Sequence, residues 1–578
     1  MVDLKKKKFT RLILQLSSLI FMSLNMLLYN NCTGQFEVSD NLSSIDSSVL
    51  KSSFECRNSA DASNSGSHFL SKKQYMNTIE DLFGPQVLAD ASSGLSSLSN
   101  DFFDEELRNK ISSLDSNSIQ AYFVIAQLIS KSIVSNTTRR NNVFGACSSL
   151  ATISSACISA FINNYGIKIL RRPLSSTEIS FTNSIFSGAG TNNEKLEATL
   201  NYLLQSPFFI WKVELGNLAT SDNFNLTEYE SATKLSYGVT DSTPDDALLL
   251  AVKNGLFKTD LEIRTQAERL ILSPRGKSKV SDLLLHWSLS ENPQDLSSLP
   301  ASLKTGINMS GLELAMVSET KQFIDHIVFQ SNGTFQDLLK SNLSFASHTG
   351  LAKIYNHAPI TLGNPEVITE RRQGLLMRAP FMTWTGPRTN LIKRGVDFQK
   401  RILCNQIPSP NVDIADDREL DAFTPLQQLE NTNRTNIDHQ TKSPVCMSCH
   451  SAINPVGFAF EAFDSLGRIR NQEQVFDLNQ SFYKYINVDS NSSISRPRSA
   501  NIPIRDAYEL IDYVAESSEG HECFVRNVHR FIAENPESSK DGCHLNNAFE
   551  KLANSNESIK SVILELILNN NLKRKISN

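Results

Sequence analysis

At 578 residues the chain is too long for one core at about 100–200 residues per domain, so several packed units are expected. Hydrophobic residues at 40% and charged residues at 20% exclude a collagen-like or wholly disordered protein. The formal charge of -5 includes the basic cluster Lys5, Lys6, Lys7, Lys8 and Arg11, so the remainder is more acidic still and carries no basic stripe for nucleic acid.

Residues 1–32 read as a targeting segment, in which the basic cluster leads into the apolar run Leu12 to Tyr29 and then to Cys32. Cys32 is the candidate lipid-modified residue of a bacterial lipoprotein; an uncleaved membrane anchor and simple cleavage are the alternatives. Each of them exports residues 33–578. Residues 33–66 are rich in Ser, Asn and Asp and read as a disordered tether. From His68 the pattern turns helical, with Leu70, Tyr75, Ile79 and Leu82 on one stripe before Gly84. Further helices are expected over 118–165, and Ser175 or Ser176 is placed to cap the next through Glu178. Pro207 breaks the helical stretch 195–216, while Pro244 and Asp245 mark a turn between two helices, the second ending at Gly255. Ile263, Ala267, Leu270 and Ile271 recur at helical spacing up to Pro274. Residues 310–345 continue as helix and 488–502 are a polar, Ser-rich excursion. The last helix carries Ile559, Val562, Ile563, Leu566 and Ile567 on one face.

The strongest chemical signal is Cys446-Met447-Ser448-Cys449-His450. Two cysteines at this spacing can each form a thioether to a haem vinyl group, and the histidine that follows can then ligate the iron. A structural zinc site would need two further ligands, and a redox or disulfide CxxC would not need His450. Downstream, Pro455 and Gly457 read as a tight turn shaping a haem crevice, and Phe458, Phe460 and Phe463 as an apolar wall. Glu461, Asp464, Arg468 and Arg470 read as a polar edge, mostly structural. No methionine follows Met447, so a distal ligand must come from elsewhere: His439 first, then Met377, Met382, His521, His529 or His544, or no protein ligand at all. With Cys32, Cys446 and Cys449 assigned, six cysteines remain, consistent with disulfides in an oxidising compartment. Proximity favours Cys147 with Cys157 and Cys523 with Cys543, leaving Cys56 with Cys404.

The segments LSKKQYMNTIEDLFG, YGIKILRRPLSSTEIS, LLQSPFFIWKVELG and KLSYGVTDSTPDDALLLAVKNGLF resemble those of a known multidomain family. So do RRQGLLMRAPFMTWTG, TNLIKRGVDFQKRILCNQIPSP, HQTKSPVCMSCHSAINPVGFAFEAFDSLGRIR and ECFVRNVHRFIAENPESSKDGCHLNNAFEKL. That family, found in planctomycetes, myxobacteria and predatory bacteria, joins a planctomycete cytochrome c-like domain to uncharacterised companions. The resemblance implies one covalent haem c on Cys446 and Cys449 with His450 on the iron, and His439 matches a histidine common in the family pattern. Asn454 departs from the aspartate usual before the Pro-x-Gly-Phe segment.

The expected fold is mainly α, with several packed helical domains, a small cytochrome c-like haem module and minor β. The expected divisions are 1–32 leader, 33–66 tether, companion domains at 67–145, 146–216 and 217–345, haem domain at 346–475 and C-terminal helical domain at 476–578. The functional expectation is single-electron transfer by a membrane-anchored monohaem protein, facing the periplasm or the surface of a Gram-negative cell envelope, with a redox partner protein. A haem-assisted enzyme acting on peroxide or an exported polymer, and an envelope interaction protein with a structural CxxCH, are the alternatives. No GxSxG elbow, Gly-rich phosphate loop or HExxH helix is present, and the pairs Asp245/Asp246 and Asp416/Asp417 read as turns and caps.

Overall fold

The computed structural model describes residues 50–56, 68–101, 116–216, 223–368, 372–407, 422–477, 479–495, 501–554, 556–568 and 574–576. The leader with Cys32, tether residues 33–49 and 57–66, and Asp416 and Asp417 lie outside the described residues. The protein is mainly α, and its described strands form five two-stranded antiparallel pairs. Among the described residues no helix is long and apolar enough to cross a membrane.

The chain divides into two compact units, one holding 295–305 and 383–511 and the other holding 50–294, 306–382 and 512–578. The larger unit begins as the apolar periodicity predicts. Lys72–Phe83 is a helix closed at its start by a reciprocal Ser71/Gln74 capping box and at its end by Gly84, whose φ of 91° is left-handed. Its Tyr75, Ile79 and Leu82 are buried in a core that also takes residues from Ser116–Ser135 and Asn192–Leu204. Ser175 caps Ser176–Ser187 through Glu178, and Pro207 opens a new short helix instead of bending an old one. Asp245 caps Asp246–Lys253 and pairs with Arg269, as a turn residue should. All five apolar residues expected on one face of Ile559–Ile567 are buried.

Two disulfide expectations are corrected. Cys147 is bonded to Cys157, but Cys543 is bonded to Cys56 across 487 residues, and not to Cys523. Cys404 and Cys523 are disulfide-bonded as well. The cause is the path of 50–56, which does not behave as tether. Its Ser53 N–H donates to Glu522 at 2.6 Å, Phe54 lies 4.7 Å from the Arg526 guanidinium, and the Glu55 carbonyl presses on Gly542, where a Cβ would meet it at 2.1 Å. Only glycine admits that approach, and it delivers Cys56 to the start of the Gly542–Ala553 helix.

In the smaller unit two helices cross at backbone contact. A Cβ on Gly395, in Leu391–Asp397, would lie 2.3 Å from the Ile453 carbonyl oxygen, and one on Gly457, in Pro444–Phe458, 2.1 Å from that of Leu391. Two hairpins not anticipated from the sequence, Gln472–Phe476 with Phe482–Asn487 and Ser492–Ile494 with Ile502–Ile504, complete this unit's described strands.

Candidate haem-attachment site

The Pro444–Phe458 helix starts cleanly because Ser443 accepts the Cys446 N–H and Pro444 occupies the first turn, where no donor is needed. Cys446, His450, Asn454 and Gly457 then recur three or four residues apart on one face, with Cys449 beside His450 at its edge. Cys446 is buried, Cys449 is half-buried, and both thiols are free. This is the donor set that two thioether bonds require, one helical turn apart.

Pro455 and Gly457 do not form the expected turn; both lie inside the helix. Proline removes the N–H that would bond the Ser451 carbonyl, and the Ser495 hydroxyl takes its place, donating to that carbonyl at 2.8 Å. The Ser492 hydroxyl bonds the Pro455 carbonyl from the same hairpin. Gly457 serves the helix crossing. Phe458 packs with Leu391 and Ile437, Phe460 faces Phe398 at 5.8 Å, and Phe463 faces Tyr508 at 6.4 Å. All three phenylalanines are buried, each against different partners.

The geometry around His450 is the most informative feature. Its Nδ1 lies 2.8 Å from Asn454 Oδ1, and Asn454 Nδ2 donates to Thr441 Oγ1 at 2.8 Å. The Thr441 hydroxyl in turn donates to the Ile437 carbonyl at 2.8 Å. With that proton committed, Thr441 accepts from Asn454, so Asn454 presents its oxygen to His450. An amide oxygen only accepts, which assigns the proton of the imidazole to Nδ1 and leaves the lone pair on Nε2. That is the tautomer a metal ligand binding through Nε2 must have.

The polar edge is not solvated. Asp464 organises a tight turn, accepting the Leu466 and Arg468 N–H groups and the Arg468 side chain. Glu461 is fully buried, and neither carboxylate oxygen has a hydrogen-bond partner; the Arg470 guanidinium lies 3.7 Å away. Burial pushes its carboxyl up to about 7, against the pull of Arg470 and with a further push from Glu473.

His439 belongs to the same unit, on Asn433–Gln440, which packs against the motif helix. Its ring stacks on Phe423 with centroids 3.7 Å apart, Nε2 lies 3.3 Å from Lys442 Nζ, and Nδ1 is buried without a partner. Met377, Met382, His521, His529 and His544 belong to the larger unit and are buried or half-buried there. Among the described residues no group of three or more His, Cys, Asp or Glu is arranged to hold a metal, so the zinc alternative finds no ligand set there.

Sequence reasoning missed Thr441, Ser492 and Ser495, and it noted Asn454 without its bond to His450. Asn454 was within reach, because a residue four after His450 on a helix shares its face. The others depend on tertiary packing. The residues present fit a covalent haem in the chemistry of the donor set: two free thiols one turn apart and an imidazole fixed with Nε2 unprotonated.

Two family patterns match. PSCyt3, a protein of unknown function (DUF1588), matches residues 372–473 and so encloses Cys446, Cys449 and His450. PSD4, a protein of unknown function (DUF1592), matches residues 226–356. No curated protein and no solved structure matches the chain. In these two segments the chain is similar to the companion domains of planctomycete cytochrome c-like proteins.

Proposed function

We propose that this protein is an exported monohaem c-type cytochrome-like protein that passes single electrons in the cell envelope. The observation that carries the reading is the His450–Asn454–Thr441 chain, which prepares Nε2 as a ligand beside two free cysteines on the same helix. The PSCyt3 match over the motif supports it. A haem bound there would supply an iron that gains and loses one electron.

The chain's own residues divide the work of holding it. Cys446 and Cys449 would attach the haem covalently, and His450 Nε2 would ligate its iron. The Gly395–Gly457 crossing fixes the helix that carries all three, and Ser495 repairs the break at Pro455. His439, with its buried free Nδ1, is the candidate for the distal side. The basic and apolar leader ending at Cys32 supports export and membrane anchoring as a lipoprotein in a Gram-negative envelope, where covalent haem attachment takes place. The electron donor or acceptor is a second protein of the same compartment.

The test is a pyridine haemochrome spectrum of the exported chain, made with the haem c maturation machinery present, beside Cys446→Ser/Cys449→Ser. A covalently held c-type spectrum in the parent and none in the double variant is expected. A folded parent without haem would overturn the reading.

A further inference from the structure

Asn454 is 4% exposed and Thr441 is 2% exposed, so water does not compete for the bonds that join them to His450. Three protons link the chain. The Thr441 hydroxyl goes to the Ile437 carbonyl, one amide hydrogen of Asn454 goes to Thr441, and the imidazole proton goes to the Asn454 oxygen. Turning the amide over would place its nitrogen against His450, force the imidazole proton onto Nε2 and block ligation there. It would also cost the hydroxyl-to-carbonyl bond, because the Thr441 proton would have to turn toward the amide oxygen. The threonine therefore sets the orientation of the amide, and the amide sets the tautomer of the histidine.

The acceptor is also uncharged. A carboxylate hydrogen-bonded to the far nitrogen of a metal-bound histidine draws that proton toward itself and makes the imidazole a stronger donor to the metal. An amide orients the ring without this electron push. A weaker donor stabilises the oxidised iron less and so favours the reduced state.

We propose that Thr441 and Asn454 are positioning residues that hold His450 in the Nδ1-protonated form and, being neutral, raise the reduction potential of the iron it ligates. The second half rests on the haem reading above; the first does not. Nitrogen-15 NMR of the full chain labelled in histidine, made without haem maturation, reads the tautomer directly. The His450 signals, assigned by comparison with His450→Gln, are expected to report Nδ1–H in the parent and in Thr441→Ser. Thr441→Val, which cannot fix the amide, is expected to show both tautomers. Nε2–H in the parent, or an unchanged pattern in a folded Thr441→Val, would overturn the proposal.

In haem-loaded protein, Asn454→Asp is expected to shift the midpoint potential negative. A loaded Asn454→Asp with the potential unmoved would overturn the tuning half. If no haem is taken up, the reading of the previous subsection fails, and the NMR result still decides the role of Thr441 and Asn454.

Discussion

Each unit buries a cluster of charges, and the two clusters are built in opposite ways. In the larger unit Asp241 accepts from Lys279 at 2.7 Å and from Gln74 at 3.1 Å and lies 3.3 Å from Lys73. Lys279 also bonds the Tyr237 carbonyl, and Glu534 takes Gln74 and Lys212, both at 2.6 Å. Burial pushes the Asp241 carboxyl up, but Lys279 and then Lys73 hold it well below the usual range. In the smaller unit Glu461 has no hydrogen bond to either oxygen; half-buried Arg470 lies 3.7 Å away, and buried Glu473 and Arg394 also act on its charge. Fully paired buried charges fix the packing of helices, whereas unpaired ones cost stability and concentrate where a protein does chemistry. Glu461, a buried carboxylate without a hydrogen bond, lies in the unit that carries Cys446, Cys449 and His450.

The largest expected effect breaks the paired cluster. Lys279→Ala leaves Asp241 with less than its full set of partners, and urea unfolding is expected to show a loss of about 3–5 kcal/mol. Because the Asp241 carboxyl is depressed in the folded state, its contribution is present above the unfolded carboxyl range and is lost as pH falls below it. Lys279→Ala therefore costs less in acid than at neutral pH.

Glu461 responds with the opposite sign. Its folded carboxyl is raised to about 7, so between the unfolded value and pH 7 the folded state holds a proton that the unfolded state has released. Stability then falls as pH rises through that window. Glu461→Gln is expected to leave stability unchanged near pH 4 and to raise it by up to about 3 kcal/mol at pH 8, read from unfolding curves at the two pH values. Equal effects at both would show that the carboxylate is paired after all.

The smallest effect sharpens the description of the motif helix. Ser495→Ala removes the hydroxyl that serves the carbonyl orphaned by Pro455, and a loss of about 1 kcal/mol is expected by the same measurement.

The helices were legible wherever periodicity and caps agreed: Lys72–Phe83 between Ser71 and Gly84, Ser176–Ser187 behind Ser175, and the apolar face of Ile559–Ile567. The CMSCH motif was legible because its chemistry is contiguous. What depends on distant partners was not. Pro455 and Gly457 look like a turn until Ser495 and Leu391 are seen to compensate for each. The Phe482–Asn487 strand exposes Phe482, Tyr483 and Tyr485, so it lacks the alternation of a half-buried strand. Cys56 finds Cys543 because residues 50–56 lie along the C-terminal helices, which no spacing rule encodes. Glu461 and Asp464 look alike in sequence, yet one closes a turn and the other is buried among charges.

On the proposed function, Cys446 and Cys449 carry a covalent haem. The most direct test is mass spectrometry of the denatured, acid-extracted protein after expression with haem c maturation, followed by mapping of the proteolytic peptide that contains residues 446–450. One haem on that peptide, resistant to extraction and absent from Cys446→Ser/Cys449→Ser, is the predicted result. A peptide with two unmodified or mutually disulfide-bonded cysteines in a folded, exported chain would contradict it.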